Sequence, residues 1–308
     1  MSKFQHFLTP VCLALGVVSA IADHGPGTSA GGVATQSAET LKAGQWSFGL
    51  QNDWTDFKNP SLEGKEEFDL IGSTSLTTLS ISTGLTENLQ AGLAYGYYAA
   101  EGAGEIEHDG ERVTFDPDGF TDLWLNAKYR LYRGPAGQFA FYGGVKAPIG
   151  ETDIRTSEGE RAEPPSMPGS GAWDGMFGVA YTYALNARLT LDASAQYIVR
   201  GEHFDYQIGN RLDAGVALGW RICGDAENFP QVSLMGEALV RSMEKSDSEG
   251  ETLGNTGGTV LLLAPGFRIG FSKNAALSVS AQLPVMQDLN GDQVESRFRI
   301  SSALTFTF

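Results

Sequence analysis

The last thirteen residues, SRFRISSALTFTF (296–308), alternate without interruption. Phe298, Ile300, Ser302, Leu304, Phe306 and Phe308 share one face, and Arg297, Arg299, Ser301, Ala303, Thr305 and Thr307 the other. A period of two excludes a helix, whose faces recur every ~3.6 residues, and specifies an extended strand with two unlike faces. Strands of soluble sandwiches average about five or six residues and turn their polar face to water. A strand of about ten to thirteen residues has the length a tilted barrel strand needs to cross a bilayer.

The same alternation recurs upstream. Leu189, Leu191, Ala193, Ala195, Tyr197 and Val199 alternate with Arg188, Thr190, Asp192, Ser194, Gln196, Ile198 and Arg200. Leu212, Ala214, Val216, Leu218, Trp220 and Ile222 alternate with Arg211, Asp213, Gly215, Ala217, Gly219 and Arg221. Leu123, Leu125, Ala127, Tyr129 and Leu131 alternate with Asp122, Trp124, Asn126, Lys128, Arg130 and Tyr132. Aromatic residues gather near strand ends (Trp46, Trp54, Tyr97, Tyr183, Tyr197, Trp220), where the two membrane interfaces require them.

The pattern predicts an all-β fold: a transmembrane antiparallel up-and-down barrel of about twelve strands. The strands fall at 45–56, 73–85, 89–100, 120–132, 139–150, 172–183, 188–200, 209–222, 231–243, 258–271, 276–286 and 296–308. Short connections such as TEN (86–88) and ALNA (184–187) alternate with long ones throughout, as short periplasmic turns and long outer loops do. Strand 258–271 breaks its own parity. Val260, Leu262 and Ala264 share one face, then Phe267, Ile269 and Phe271 take over, which predicts a bulge at Pro265-Gly266.

Three segments follow. Residues 1–22 read as a signal peptide: Lys3, then the short apolar run FLTPVCLALGVVSA, then the small-x-small site AIA. Cleavage there removes Cys12 and leaves Cys223 alone, so no disulfide forms within the mature chain. Residues 23–44 form a glycine-rich segment with His24, Gly25, Pro26, Gly27, Gly31 and Gly32. A phosphate-cradling loop follows a strand and opens a helix; this segment follows a cleavage site and precedes a strand. It is expected to be a lumen plug or a periplasmic tail. Residues 45–308 form the barrel, placed in the outer membrane of a Gram-negative bacterium.

A net charge of −16 excludes a nucleic-acid partner, which demands a basic face. Most of the acidic residues lie in the long loops, accompanied by six basic ones, Lys58, Lys65, Arg112, Arg155, Arg161 and Lys245. The remaining cations fall largely on inward strand positions. The candidate pore-lining or substrate-binding residues are Lys128, Arg130, Lys146, Arg188, Asp192, Arg211, Asp213, Arg221, Glu237, Arg241, Arg297 and Arg299. An arginine-bearing lumen attracts anions or carboxylate head groups. The same residues also serve a narrow barrel that fills its interior with paired polar side chains.

No catalytic constellation is visible. His24, His108 and His203 have no metal-ligand spacing, and no serine can be assigned to His203 and Asp205. The run DLNGDQVE (288–295) carries Asp288, Asn290 and Asp292 but not a full calcium ladder, and its Asn-Gly is a turn signal. No cofactor and no metal are expected.

Three motifs carry a family resemblance: HGPGTSAGGVATQSAETLKAG (24–44), FTDLWLNAKYRLY with FAFYGGVKAPIGE (120–132 and 139–151), and LPVMQDLNGDQVESRFRISSALTFTF (283–308). Together they resemble the outer-membrane barrel proteins associated with the meta pathway of phenol degradation. That family is similar in kind to outer-membrane channels for fatty acids and aromatic hydrocarbons. The resemblance implies passive transport of a small solute, hydrophobic, aromatic or anionic. A non-conducting barrel with a structural, adhesive or sensing role is the alternative, and a barrel-embedded lipid hydrolase a third reading. The expected partners are outer-membrane lipid and lipopolysaccharide, the small-molecule solute, and the barrel-assembly machinery through the C-terminal strand ending at Phe308.

Overall fold

A computed structural model describes residues 32–58, 68–106, 112–159, 161–162, 164–225 and 227–308. The expected signal peptide and the plug candidates His24, Gly25, Pro26, Gly27 and Gly31 lie outside the described residues.

Twelve long strands form the wall: β1 (Trp46–Phe57), β2 (Ser73–Gly84), β3 (Leu89–Glu101), β4 (Leu123–Gly134), β5 (Gly137–Ala147) and β6 (Asp174–Ala184). They continue as β7 (Leu189–Val199), β8 (Arg211–Cys223), β9 (Gln231–Met243), β10 (Gly258–Ser272), β11 (Ala275–Leu289) and β12 (Ser296–Thr307). Each pairs antiparallel with its neighbours in sequence, and β1 pairs with β12 from Ser47↔Thr307 to Phe57↔Ser296. That last pairing closes the sheet into a barrel, so that no strand has a wholly unpaired side, as a wall inside lipid requires.

Alternation sorts the side chains as the sequence demands. Leu50, Leu79, Leu93, Leu125, Val216, Leu218, Leu234, Leu263 and Leu283 are exposed on the outer face. Trp46, Tyr129, Trp220 and Phe308 are exposed at the end bearing the short turns, and Trp54, Phe120, Trp173 and Phe177 at the other. These belts fit the two bilayer interfaces.

Two parity expectations are corrected. Strand β10 holds one continuous register against β9, from Gln231↔Gly270 to Met243↔Gly258, so no parity switch occurs at Pro265-Gly266. Val260, Leu262 and Ala264 point inward and pack with Leu239, Ala34 and Leu289. Apolar residues are tolerated on that face because they meet a chain segment inside the barrel. The bulge belongs to the β10–β11 pair, whose register shifts between Leu261 and Leu262 opposite Pro284. Pro284 has no N–H to give the ladder. In β4 a shift between Arg130 and Tyr132 turns Tyr132 out to an exposed position.

Two seams in the wall are partly unzipped toward the long-loop end. Strand β3 pairs with β4 from Leu89↔Tyr129 to Ala94↔Trp124; above that, Tyr97 and Tyr98 pair with the short segment Gly119–Phe120. Strand β11 pairs with β12 from Ala275↔Phe306 to Gln282↔Arg299. Beyond it the Gln287 side-chain amide bonds the backbone of Ser296 in both directions, at 3.0 Å and 3.1 Å. At the loop joining β11 to β12, Asn290-Gly291 makes the turn its sequence announces, with Gly291 at φ 62°.

Candidate functional site: the plugged lumen

Residues 32–41 run inside the barrel, and Lys42 is exposed at the short-turn end. Their backbone is satisfied by side chains projecting from the wall rather than by a helix or sheet, which a buried chain segment requires. The principal anchor is Glu237, at the middle of β9 and buried. Its carboxylate accepts from Val33 N at 2.8 Å, Ala34 N at 3.2 Å, Thr35 N at 2.8 Å and Thr35 Oγ1 at 2.8 Å. Further along, Gln36 N donates to Ser194 Oγ (3.0 Å), Ala38 N to Thr182 Oγ1 (2.9 Å) and Leu41 N to Gln90 Oε1 (2.8 Å). Lys128 Nζ donates to the Ser37 carbonyl at 2.7 Å. Hydrogen bonds with an ionised partner are the stronger kind, so Glu237 and Lys128 are the main fastenings.

Apolar packing completes the seal. Ala38 is fully buried among Ala94, Trp124, Ala140, Tyr142, Met176, Ala180 and Ile198, all from the wall. Gly32 sits so close to Glu237 that a Cβ built on it would overlap the carboxylate. Among the plug residues singled out in the sequence, Gly32 is the one within the described residues, and glycine there permits this approach.

Toward the long-loop end, charges pair in two groups. Lys146 lies 3.1 Å from Asp122 and 2.6 Å from Asp174, and Arg200 reaches Asp174 at 2.8 Å. Asp122 also accepts from Gly150 N and Ser170 N, fastening the 148–173 loop to the wall. In the second group Asp213 forms an ion pair with Arg211, whose Nε lies 2.9 Å away, and accepts hydrogen bonds from Arg241 Nε at 2.7 Å and Gln196 Nε2 at 3.1 Å. Cross-strand register brings Arg241 beside Asp213, and Arg299 beside Thr55, whose Oγ1 accepts from Arg299 Nε at 2.9 Å.

The sequence candidates therefore divide. Lys128 and Glu237 hold the plug, while Asp192 is buried below it, bonded to Thr182. Lys146, Arg211, Asp213, Arg241 and Arg299 form the two groups above. Arg130 lies on the inward face at the short-turn end, bonding the Glu87 carbonyl at 2.6 Å and Asn88 at 3.3 Å. Arg221 is near the same end and bonds the Ala187 carbonyl.

Two candidates stand outside the lumen. Arg188 is exposed in the turn before β7, because the strand begins one residue later at Leu189. Arg297 is 54 % exposed at the outer rim and pairs with Asp56 at 2.8 Å, where the β1 ladder shifts register. Thr182, Ser194, Gln90 and Tyr142 were not singled out. Their inward parity is readable in the sequence, but what they touch depends on a segment distant in the chain, 49 residues from Gln90 and 158 from Ser194. His203 lies in the small loop pairing Glu202–His203 with Tyr206–Gln207, its ring tilted against that of Phe204 with centroids 3.8 Å apart.

Among the described residues, two small cavities lie on the long-loop side of the plug. The first, about 40 Å³, is floored by Ala34 and Gln36 and walled by Tyr142, Leu239, Asp213 and Arg241. The second, about 30 Å³, lies between Thr55, Phe57, Val260 and Arg299. Arg241, Leu262 and Gln282 border both. Each exceeds the ~10–15 Å³ that one water needs.

The fold recurs among solved structures. The COG4313 outer membrane channel from Pseudomonas putida F1 superposes with a TM-score of 0.65 at 13% identity, covering 88% of this chain and 98% of that one. The transport unit of the autotransporter AIDA-I from Escherichia coli does so with a TM-score of 0.50 at 11% identity, covering 87% and 90%. At such identities the likeness is one of fold: an outer-membrane β-barrel. A comparison with curated proteins finds no match. A family model does match, over residues 26–286, from the glycine-rich segment to β11. The chain belongs to the outer-membrane barrel family described as "Putative MetA-pathway of phenol degradation".

Proposed function

We propose that this barrel is a channel for passive entry of a small solute, and that residues 32–41 are its gate. The observation that carries the reading is the way the lumen is closed. A barrel that is packed solid fills its bore with wall side chains. Here a separate segment fills it, fastened largely by side chain to backbone bonds, and the wall keeps small cavities above it. A fold-level likeness to a protein titled an outer membrane channel adds to the reading as analogy.

Releasing the gate exchanges its bonds for water. Each hydrogen bond to a charged group contributes about 1.5–3 kcal/mol net, so Glu237 concentrates much of the holding energy at one carboxylate. Its replacement is the test. Glu237→Gln leaves one acceptor oxygen and turns an amide donor toward backbone N–H groups. Both Glu237→Gln and Glu237→Ala are expected to raise the open fraction in planar bilayers, with Ala the larger effect. A sealed structural barrel would conduct in neither variant.

A further inference from the structure

We propose that the upper lumen contains a binding site for a small organic carboxylate, formed by the guanidinium groups of Arg211, Arg241 and Arg299. The assignment rests on the channel reading and names the solute class it would take.

The first observation is unmet donors. Arg211 is 1 % exposed, and its two terminal nitrogens have no hydrogen-bond partner among the described residues. Arg299 spends Nε on Thr55, and its Nη1 is likewise without a partner. Buried donors left unpaired are costly, and a wall of alternating strands has no steric need to keep them. The second observation is charge. Asp213 alone touches two of the three guanidiniums, and Asp53, the buried acid two positions along β1 from Thr55, the register partner of Arg299, is engaged by Ser301 and by Gln51 at 2.8 Å.

The third observation is space. Both cavities border Arg241, and the second reaches Arg299. A guanidinium fork matches the two oxygens of a carboxylate, which a lone ammonium does not. Leu239, Leu262 and Val260 supply an apolar side for the rest of the molecule. As they stand, the cavities suit the head group; a larger body requires Ala34 and Gln36 to withdraw from the floor. Binding and opening are thereby coupled: a carboxylate that needs that room favours the open state.

Calorimetric titration of the full chain in detergent tests the site, with benzoate as probe and benzamide as its neutral counterpart at fixed ionic strength. Benzoate is expected to bind saturably, and Arg211→Gln or Arg241→Gln to weaken it about tenfold or more. Arg211→Lys, which keeps the charge and loses the fork, should also weaken it, while Arg188→Gln in the exposed turn should not. Heat-modifiable migration confirms that each variant is folded. Equal binding of benzamide, displacement by equimolar chloride, or unchanged benzoate binding in a folded Arg211→Gln barrel would overturn the site. Such a result beside a conducting barrel removes the site and leaves the channel; benzoate binding in a barrel that never conducts does the reverse.

Discussion

At the scale of single residues, the lumen depends on a few buried charges that each serve several partners. Glu237 holds three successive backbone N–H groups and a hydroxyl, and Gly32 is small enough to let the segment approach it. Gly32→Ala is therefore expected to act in the same direction as Glu237→Ala, loosening the plug by a clash with Glu237 while every wall residue stays unchanged. Raised accessibility of a thiol label placed at Ala34 would report it. Asp174 is a different case: it neutralises both Lys146 and Arg200 in a buried setting. Breaking such a cluster from one side leaves uncompensated charge, at a cost of about 3–5 kcal/mol. Asp174→Asn should lower the urea midpoint of unfolding in lipid, and an unchanged midpoint would show that the cluster is hydrated.

At the scale of elements, the strands were legible and their contents were not. The ladder bounds of β9, Gln231–Met243, coincide with the alternating run, because lipid outside and a polar lumen inside impose period two on the chain. β10 misled where its inward face is apolar. Val260, Leu262 and Ala264 look lipid-facing until Ala34 is found against them, and that contact cannot be read from local pattern. The plug itself was legible as a segment that is neither strand nor nucleotide loop, but not as one fastened to Glu237, Ser194, Thr182 and Gln90. Arg297 and Arg299 share parity yet differ in depth, since the rim lies between them. In a barrel freed of its plug, Arg299→Glu is expected to move the reversal potential toward cations, and Arg297→Glu to leave it nearly unchanged. Equal shifts would place both in the path.

At the scale of the whole molecule, two hydrophobic surfaces define the protein. The outer one, bounded by aromatic belts, requires lipid; the inner one, around Ala38 and Ala34, requires the N-terminal segment. The wall closes through β1 and β12 independently of that segment, so the barrel is expected to fold without it. The central claim is that the wall encloses a path and that residues 32–41 shut it. Single-channel recording of the folded barrel lacking residues 23–42, beside the intact protein, tests it most directly. The account predicts a stable open conductance in the shortened barrel and a mostly closed one in the intact chain. Equal conductance in the two, or none in either, would contradict it.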